Sequence, residues 1–396
     1  MNKVSPRLVV LLASLSALGP FSIDTYLPAF PAMAENLGTT DIAIQQTLTA
    51  YLLPFAFMML WHGALSDALG RRRIILGGLA LFAASSLLCA FAGSIETLLL
   101  GRALQGLTAG AGMVIGRAIV RDLFDGAEAQ RLMSKIAVLF AIAPAIAPVI
   151  GGWILYFFNW HGIFLFLALF TGLLLIACWR WLPETLPEDK RQSLHPLVLA
   201  RAYGQVFSHH EFRRLALANA FNFNGLFIYV LAAPVFLMRH LGLSAQSFAS
   251  MFMPVVAGMM IGSIASGHLA GKLSPARTVA IGYLLMIVAA LANLAMNLAM
   301  PATLPWAIIP LSLFACGMAL AMPSLQLLAL DFFPERRGLA SSCMGVIHTG
   351  INALAAALLI PLLWDSTVSL AGGMLGMLLL GAAAFAISRW RRKPIA

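Results

Sequence analysis

A single acidic side chain falls inside an apolar run of this chain: Asp24, in Phe21-Ser22-Ile23-Asp24-Thr25-Tyr26-Leu27-Pro28. A carboxylate in hydrocarbon is costly, and its default meaning is an ion or proton pathway. Pro20 lies one turn before it and Pro28 one turn after, and each removes a helical hydrogen bond and frees a carbonyl. The matching cation is Arg102, in Leu100-Gly101-Arg102-Ala103-Leu104-Gln105-Gly106. Counted from the nearest span ends, Asp24 and Arg102 both lie about 10 Å deep on one side at 1.5 Å per residue. A static buried ion pair is a poor source of stability. A carboxyl that exchanges a proton beside a guanidinium is a usable switch. Gln105, three residues from Arg102 on the same helix face, is placed to hold a polar group or to position the arginine.

Further polar side chains stand in apolar surroundings. His348 lies near the middle of its run, and its ordinary pKa of about 6.5 makes it a second candidate proton carrier. Asn219 and Asn222 share one helix face, and Asn293 and Asn297 another. Interhelical hydrogen bonds account for many such residues without any ligand. Asp24, Tyr51, Gln105, Asn222, Tyr229 and His348 are the candidate substrate contacts. Tyr26, Trp153, Tyr156, Trp160 and Trp364 sit near span ends, where an aromatic belt is expected. The loop Gly63-x-x-x-Asp67-x-x-Gly70-Arg71-Arg72-Arg73 reads as a conformational latch. In it Asp67 accepts from a helix N-terminus, and the arginines hold carboxylates or lipid. Pro144, Pro148 and Gly152, and beside them Ala143, Ala147 and Gly151, each series at a spacing of four, mark a bent helix face suited to a seam that shifts.

These residues need an apolar frame. The chain of 396 residues is 61% hydrophobic and 10% charged, with a mean hydropathy of +0.91. So few charges cannot cover a soluble exterior, and the chain reads as an all-α integral membrane protein. A span takes about 20 apolar residues. Twelve such runs are present, at 7–29, 44–66, 74–92, 97–118, 136–158, 162–182, 215–238, 247–270, 278–298, 305–328, 338–362 and 368–388.

The net charge of +10 does not indicate nucleic acid, because of where the charges lie. All basic residues except Arg102 and Arg239 fall at the termini, in loops or at span ends on one side, from Lys3 and Arg7 through Arg131, Lys135, Lys190 and Arg389 to Arg391, Arg392 and Lys393. By the positive-inside rule both termini are cytoplasmic. The four cysteines, Cys89, Cys178, Cys316 and Cys343, all lie in spans with no metal-ligand spacing. No phosphate-cradling loop, metalloprotease helix or nucleophile elbow is present, so neither an enzyme nor ATP-driven transport is expected. No cofactor or metal is expected, and the functional unit is expected to be a monomer.

The interval 183–214 is read as a cytoplasmic linker between a first bundle, 1–182, and a second, 215–396; Phe207 and Phe212 are placed at its membrane interface. Gly63–Arg71 and Gly267–Leu273 echo each other at an offset of 204 residues, which points to a duplicated six-span unit. Gly106/Gly110, Gly112/Gly116 and Gly258/Gly262/Ser266 are small-residue faces on which helices pack closely.

Taken together, Asp24-Thr25-Tyr26-Leu27-Pro28-Ala29-Phe30-Pro31, the loop Gly63–Arg73, Arg102–Gly106, Arg121-Asp122 and Ala147-Pro148-Val149-Ile150-Gly151-Gly152 resemble the major facilitator superfamily. Within it, the chain is similar to the twelve-span drug:proton antiporters of the bicyclomycin/chloramphenicol-resistance branch. The resemblance implies two pseudo-symmetric six-helix bundles around a central cavity in the bacterial inner membrane. It also implies proton-coupled export of amphipathic antibiotics, with Asp24 as protonation site, Arg102 assisting proton transfer, and Asp67, Arg71 and Arg72 controlling the swing between states. The Pro/Gly segment of span five is associated with antiport direction. Ser16 stands where some multidrug relatives carry a second acid, which argues against schemes needing two intramembrane carboxyls. Gly271 stands where Asp67 has its counterpart, so the second latch is expected to be weaker. Export of a metabolite on the same scaffold is the alternative. A membrane-embedded enzyme or receptor lacks the catalytic dyad or exterior domain it requires.

Overall fold

The computed structural model of the chain describes residues 6–124, 126–191 and 196–390. Lys3, Arg391, Arg392 and Lys393, and the side chains of Arg131, Lys135, Lys190 and Arg389, lie outside the described residues. The chain divides into two compact units, Met1–His195 and Pro196–Ala396. Both are built from helices; among the described residues the only β contact is an isolated bridge between Ala270 and Leu273.

The first unit runs α1 (Pro6–Asp24), α2 (Phe30–Asn36), α3 (Asp41–Leu69), α4 (Arg71–Ala90), α5 (Ile95–Ala109), α6 (Ala111–Leu123), α7 (Gly126–Phe157) and α8 (Trp160–Trp181). Side-chain caps set three of the starts: Thr40 accepts from the Ala43 amide at 3.2 Å, Ser94 from Thr97 at 3.3 Å and Asn159 from Gly162 at 3.3 Å. Gly70, at φ +100°, turns α3 into α4 within one residue. The second unit runs α9 (Pro196–Ser208), α10 (His210–Leu231), α11 (Ala249–Leu269), α12 (Pro275–Ala299), α13 (Ile309–Leu330), α14 (Arg337–Leu354), α15 (Ile360–Leu363) and α16 (Thr367–Trp390).

Each apolar run falls mainly on helix. Among the described residues ten helices are long and apolar enough to cross a membrane, and up to eleven if α10 and the bent segment Pro234–His240 form one span. The run at 136–158 lies in α7, whose stretch Ile142–Phe157 is a shorter apolar helix. The interval read as linker is partly regular: α9 occupies 196–208 and α10 begins at His210. Phe212 is not interfacial but fully buried, its ring 5.6 Å from that of Phe333.

Glycines show where helices touch. A Cβ on Gly106 would strike the backbone of Tyr51, one on Gly112 the backbone of Leu15, and one on Gly151 the Thr25 carbonyl. In the second unit Gly258 and Gly262 face the Ser312 and Cys316 carbonyls in the same way. Cys89, Cys178 and Cys343 are buried, and Cys316 is half-buried.

Candidate functional site

α1 stops being regular at Asp24, where two turn residues and a short 3-10 segment, Leu27–Ala29, lead into α2. Asp24 is 4% exposed, so it does not face lipid. Among the described residues its carboxyl makes no hydrogen bond and no ion pair within 4.0 Å. Arg102, completely buried, is occupied elsewhere. Its Nη1 donates to Gln105 Oε1 at 2.7 Å and to the Ser22 carbonyl at 3.2 Å. Its guanidinium lies over the rings of Tyr26 and Tyr51, 4.2 and 4.4 Å from their centroids. Such cation–π contacts are worth about 2 kcal/mol when desolvated. Among the described residues Nε and Nη2 of Arg102 have no partner. The site therefore holds a carboxyl without a counter-ion and a guanidinium with two spare donors.

The rings are themselves anchored. The Tyr26 hydroxyl pairs with that of Thr47 at 3.0 Å. Ser22 donates to the Tyr51 hydroxyl at 2.7 Å, and Tyr51 donates to the Gly19 carbonyl at 3.1 Å. Tyr26 is thus no belt residue: it is fully buried beneath the arginine. Trp160, also expected in the belt, is buried and donates to Asn36 Oδ1 at 3.1 Å, and Trp364 is buried as well. The pairs Tyr26–Thr47 and Ser22–Tyr51 tie this segment to α3. Thr49 Oγ1 and both amide atoms of Gln45, one turn away, are buried without partners. Gln105 completes the cluster, its Nε2 donating to Ser86 Oγ at 2.8 Å. Thr47 and Ser86 join the cluster without any signal in the sequence, because short polar side chains are common in spans.

Asn222, Tyr229 and His348 belong to the second unit and are described within it. Asn222 donates to the Tyr283 hydroxyl at 2.9 Å and Asn293 to that of Tyr229 at 2.7 Å, both tying α10 to α12. Asn224 ties α10 to α14 through Asn352 at 2.7 Å. Asn222 and Tyr229 have no exposed surface. His348 is half-buried with its ring 4.4 Å from that of Phe223, and makes no hydrogen bond among the described residues.

At the turn between α3 and α4, where a latch is expected, Arg71 is the hub. It pairs with Asp67 one turn back, with Asp122 at 3.2 Å, and donates to Ser66 Oγ at 2.6 Å. The N-terminal amides of α4 are taken by Glu184 rather than by Asp67, the acceptor expected from the sequence. Arg71 N reaches Oε1 at 3.0 Å and Arg72 N reaches Oε2 at 3.2 Å. A carboxylate there meets unpaired N–H groups and the positive end of the helix. Thr185 donates to Asp122 at 2.7 Å, so both residues following Pro183 are clasped to the latch. Arg72 donates to the Trp179 carbonyl. Gly63 faces Val114 of α6. In α7, Pro144 and Pro148 are carried within one continuous helix, and Gly151 makes the close approach to α1.

The ten, or up to eleven, apolar helices among the described residues make this a multi-pass membrane protein. The Major Facilitator Superfamily model matches residues 12–357, and the chain belongs to that family. It is 34% identical to the uncharacterized MFS-type transporter YdgK of Bacillus subtilis (strain 168), over 89% of this chain and 88% of that one. It is 29% identical to the bicyclomycin resistance protein homolog of Haemophilus influenzae, over 90% of each. With multidrug resistance protein D of Escherichia coli (strain K12) the identity is 26% over 94% of each. Among solved structures, a D-xylose-proton symporter superposes with a TM-score of 0.76 at 14% identity, covering 98% of both chains. The human organic anion transporter MFSD10 gives 0.66 at 20%, covering 96% of this chain and 97% of that one. These two likenesses concern the fold alone.

Proposed function

We propose that this chain is a proton-coupled antiporter that exports amphipathic drug-like molecules from the bacterial cytoplasm by alternating access. The observation that carries the reading is Asp24: a buried carboxyl with no partner among the described residues, two positions from Ser22, whose carbonyl accepts from Arg102. A carboxyl already locked in an ion pair resists protonation, whereas this one is free to take a proton. In the proposed cycle Asp24 is protonated from the outside, releases the proton toward the cytoplasm, and in its ionised form favours the drug. Arg102 moderates the carboxyl's charge, and the Asp67–Arg71–Asp122 latch with Gly63, Gly70 and Arg72 governs the exchange of states. Relatives named for bicyclomycin and multidrug resistance support the substrate class.

One proton entering down about 100 mV supplies roughly 2.3 kcal/mol, and one pH unit adds about 1.4. Together these sustain a gradient of a few hundredfold for a neutral substrate, at about 1.4 kcal/mol per decade. For a monovalent cation exchanged one for one, only the pH contribution remains. The test is transport in proteoliposomes. Wild type is expected to couple drug movement to proton uptake, and Asp24→Asn to lose the coupling while still exchanging drug down its gradient. Retained proton exchange by Asp24→Asn refutes the assignment. A growth-inhibition panel over diverse antibiotics, with and without this substitution, identifies the substrates.

A further inference from the structure

Span four is interrupted. α5 ends at Ala109, Gly110 is a turn residue, and α6 starts at Ala111. The last turn of a helix leaves carbonyls without amide partners, and hydrocarbon offers no water to take them. Two side chains reach carbonyls just before the break. Thr108 Oγ1 donates to the Gln105 carbonyl at 3.2 Å, from within the same helix. His62 bonds the Leu107 carbonyl through Nε2 at 3.1 Å, from α3. A carbonyl only accepts, so Nε2 carries the hydrogen and the imidazole is the Nε2–H tautomer. Its Nδ1 is buried without a partner among the described residues, and the residue is 2% exposed.

The surroundings leave room for this contact. A Cβ on Gly110 would lie 2.7 Å from the Phe55 ring and 3.4 Å from His62 Nδ1. Gly63, next to His62, meets Val114 in the first turn of α6. Adjacent residues of α3 therefore touch the two sides of the interruption. Each of these elements also joins the two functional clusters. α3 carries Tyr51 toward one end and Asp67 at the other. Span four carries Arg102 and Gln105 on α5, and Asp122 on α6.

We propose that His62 is a positioning residue that pins the span-four interruption to α3, so that displacement of the Arg102 cluster reaches the Asp67–Arg71–Asp122 latch. Without the pin, α5 and α6 bend about Gly110 independently of α3, and the two clusters uncouple. This deepens the antiport reading and rests on it for its transport consequence. The mechanical link is measurable on its own.

The test is hydrogen–deuterium exchange of the full chain in nanodiscs, paired with proteoliposome transport. His62→Phe keeps a ring in the packing and removes the donor; His62→Gln keeps an N–H donor. His62→Phe is expected to raise exchange several-fold in peptides covering 107–114 and 67–73, with 215–231 of the second unit unchanged. Proton-coupled export should fall at least tenfold, with downhill drug exchange within twofold of wild type, and His62→Gln should restore both readouts. If His62→Phe does not fold, His62→Leu replaces it. Faster exchange at 107–114 with an unmoved latch overturns the proposal. So does failure of His62→Gln to rescue, or an equal loss of coupled and downhill transport. If wild type moves no protons, the antiport reading fails while the exchange data still decide the role of His62.

Discussion

At the residue scale, Arg102 is positioned by shape as much as by charge. A flat guanidinium lies over two rings and reaches Gln105; a lysine ammonium offers neither planarity nor a fork. Arg102→Lys is therefore expected to keep the charge and lose the geometry. Coupled export in proteoliposomes should drop about tenfold or more, for the roughly 1–2 kcal/mol of cation–π and hydrogen-bond stabilisation forfeited. Tyr26→Phe separates the contributions. It keeps the ring beneath the guanidinium and loses only the 3.0 Å bond to Thr47, so it should cost about 1 kcal/mol in thermal unfolding. Tyr26→Leu should cost more and should also impair coupling.

At the scale of elements, the α3–α4 turn depends on Gly70. At φ +100° a side chain is strained by about 1–2 kcal/mol, and a Cβ there would sit 2.6 Å from the Glu184 carboxylate. Gly70→Ala should lower the thermal midpoint measured in detergent, and Glu184→Ala should do so as well by leaving two α4 amides bare. Glu184→Gln retains acceptor capacity and should fall between Glu184→Ala and wild type. The contrast between these residues explains what a sequence can disclose. Apolar runs announce spans because length and hydropathy are local, and Gly63-x-x-x-Asp67-x-x-Gly70 announces a turn for the same reason. Glu184 caps a helix that begins 113 positions earlier, and His62 serves a carbonyl 45 positions later. Neither has a local pattern to betray it. Tyr26 departs from the expected belt because proximity to a span end is also local, whereas its burial beneath Arg102 is a contact made 76 positions along the chain.

At the scale of the whole molecule, the fold is held by pattern rather than by residue identity. A TM-score of 0.76 at 14% identity means that most positions need only be apolar and of suitable size, while a few glycines and buried polar pairs fix the contacts. The charge distribution makes its own prediction. With basic residues gathered on one side, a fluorescent protein fused after Ala396 should light up in the cytoplasm, and a phosphatase fused there should stay inactive. The four cysteines set a practical condition for following such a machine at work. With Cys89, Cys178 and Cys343 buried and Cys316 half-buried within α13, a small membrane-permeant maleimide should modify the native chain first at Cys316. Cys316→Ser then provides a quieter background on which one introduced thiol after another can carry a spin label or fluorophore, with no need to strip sulfur from the packed interior.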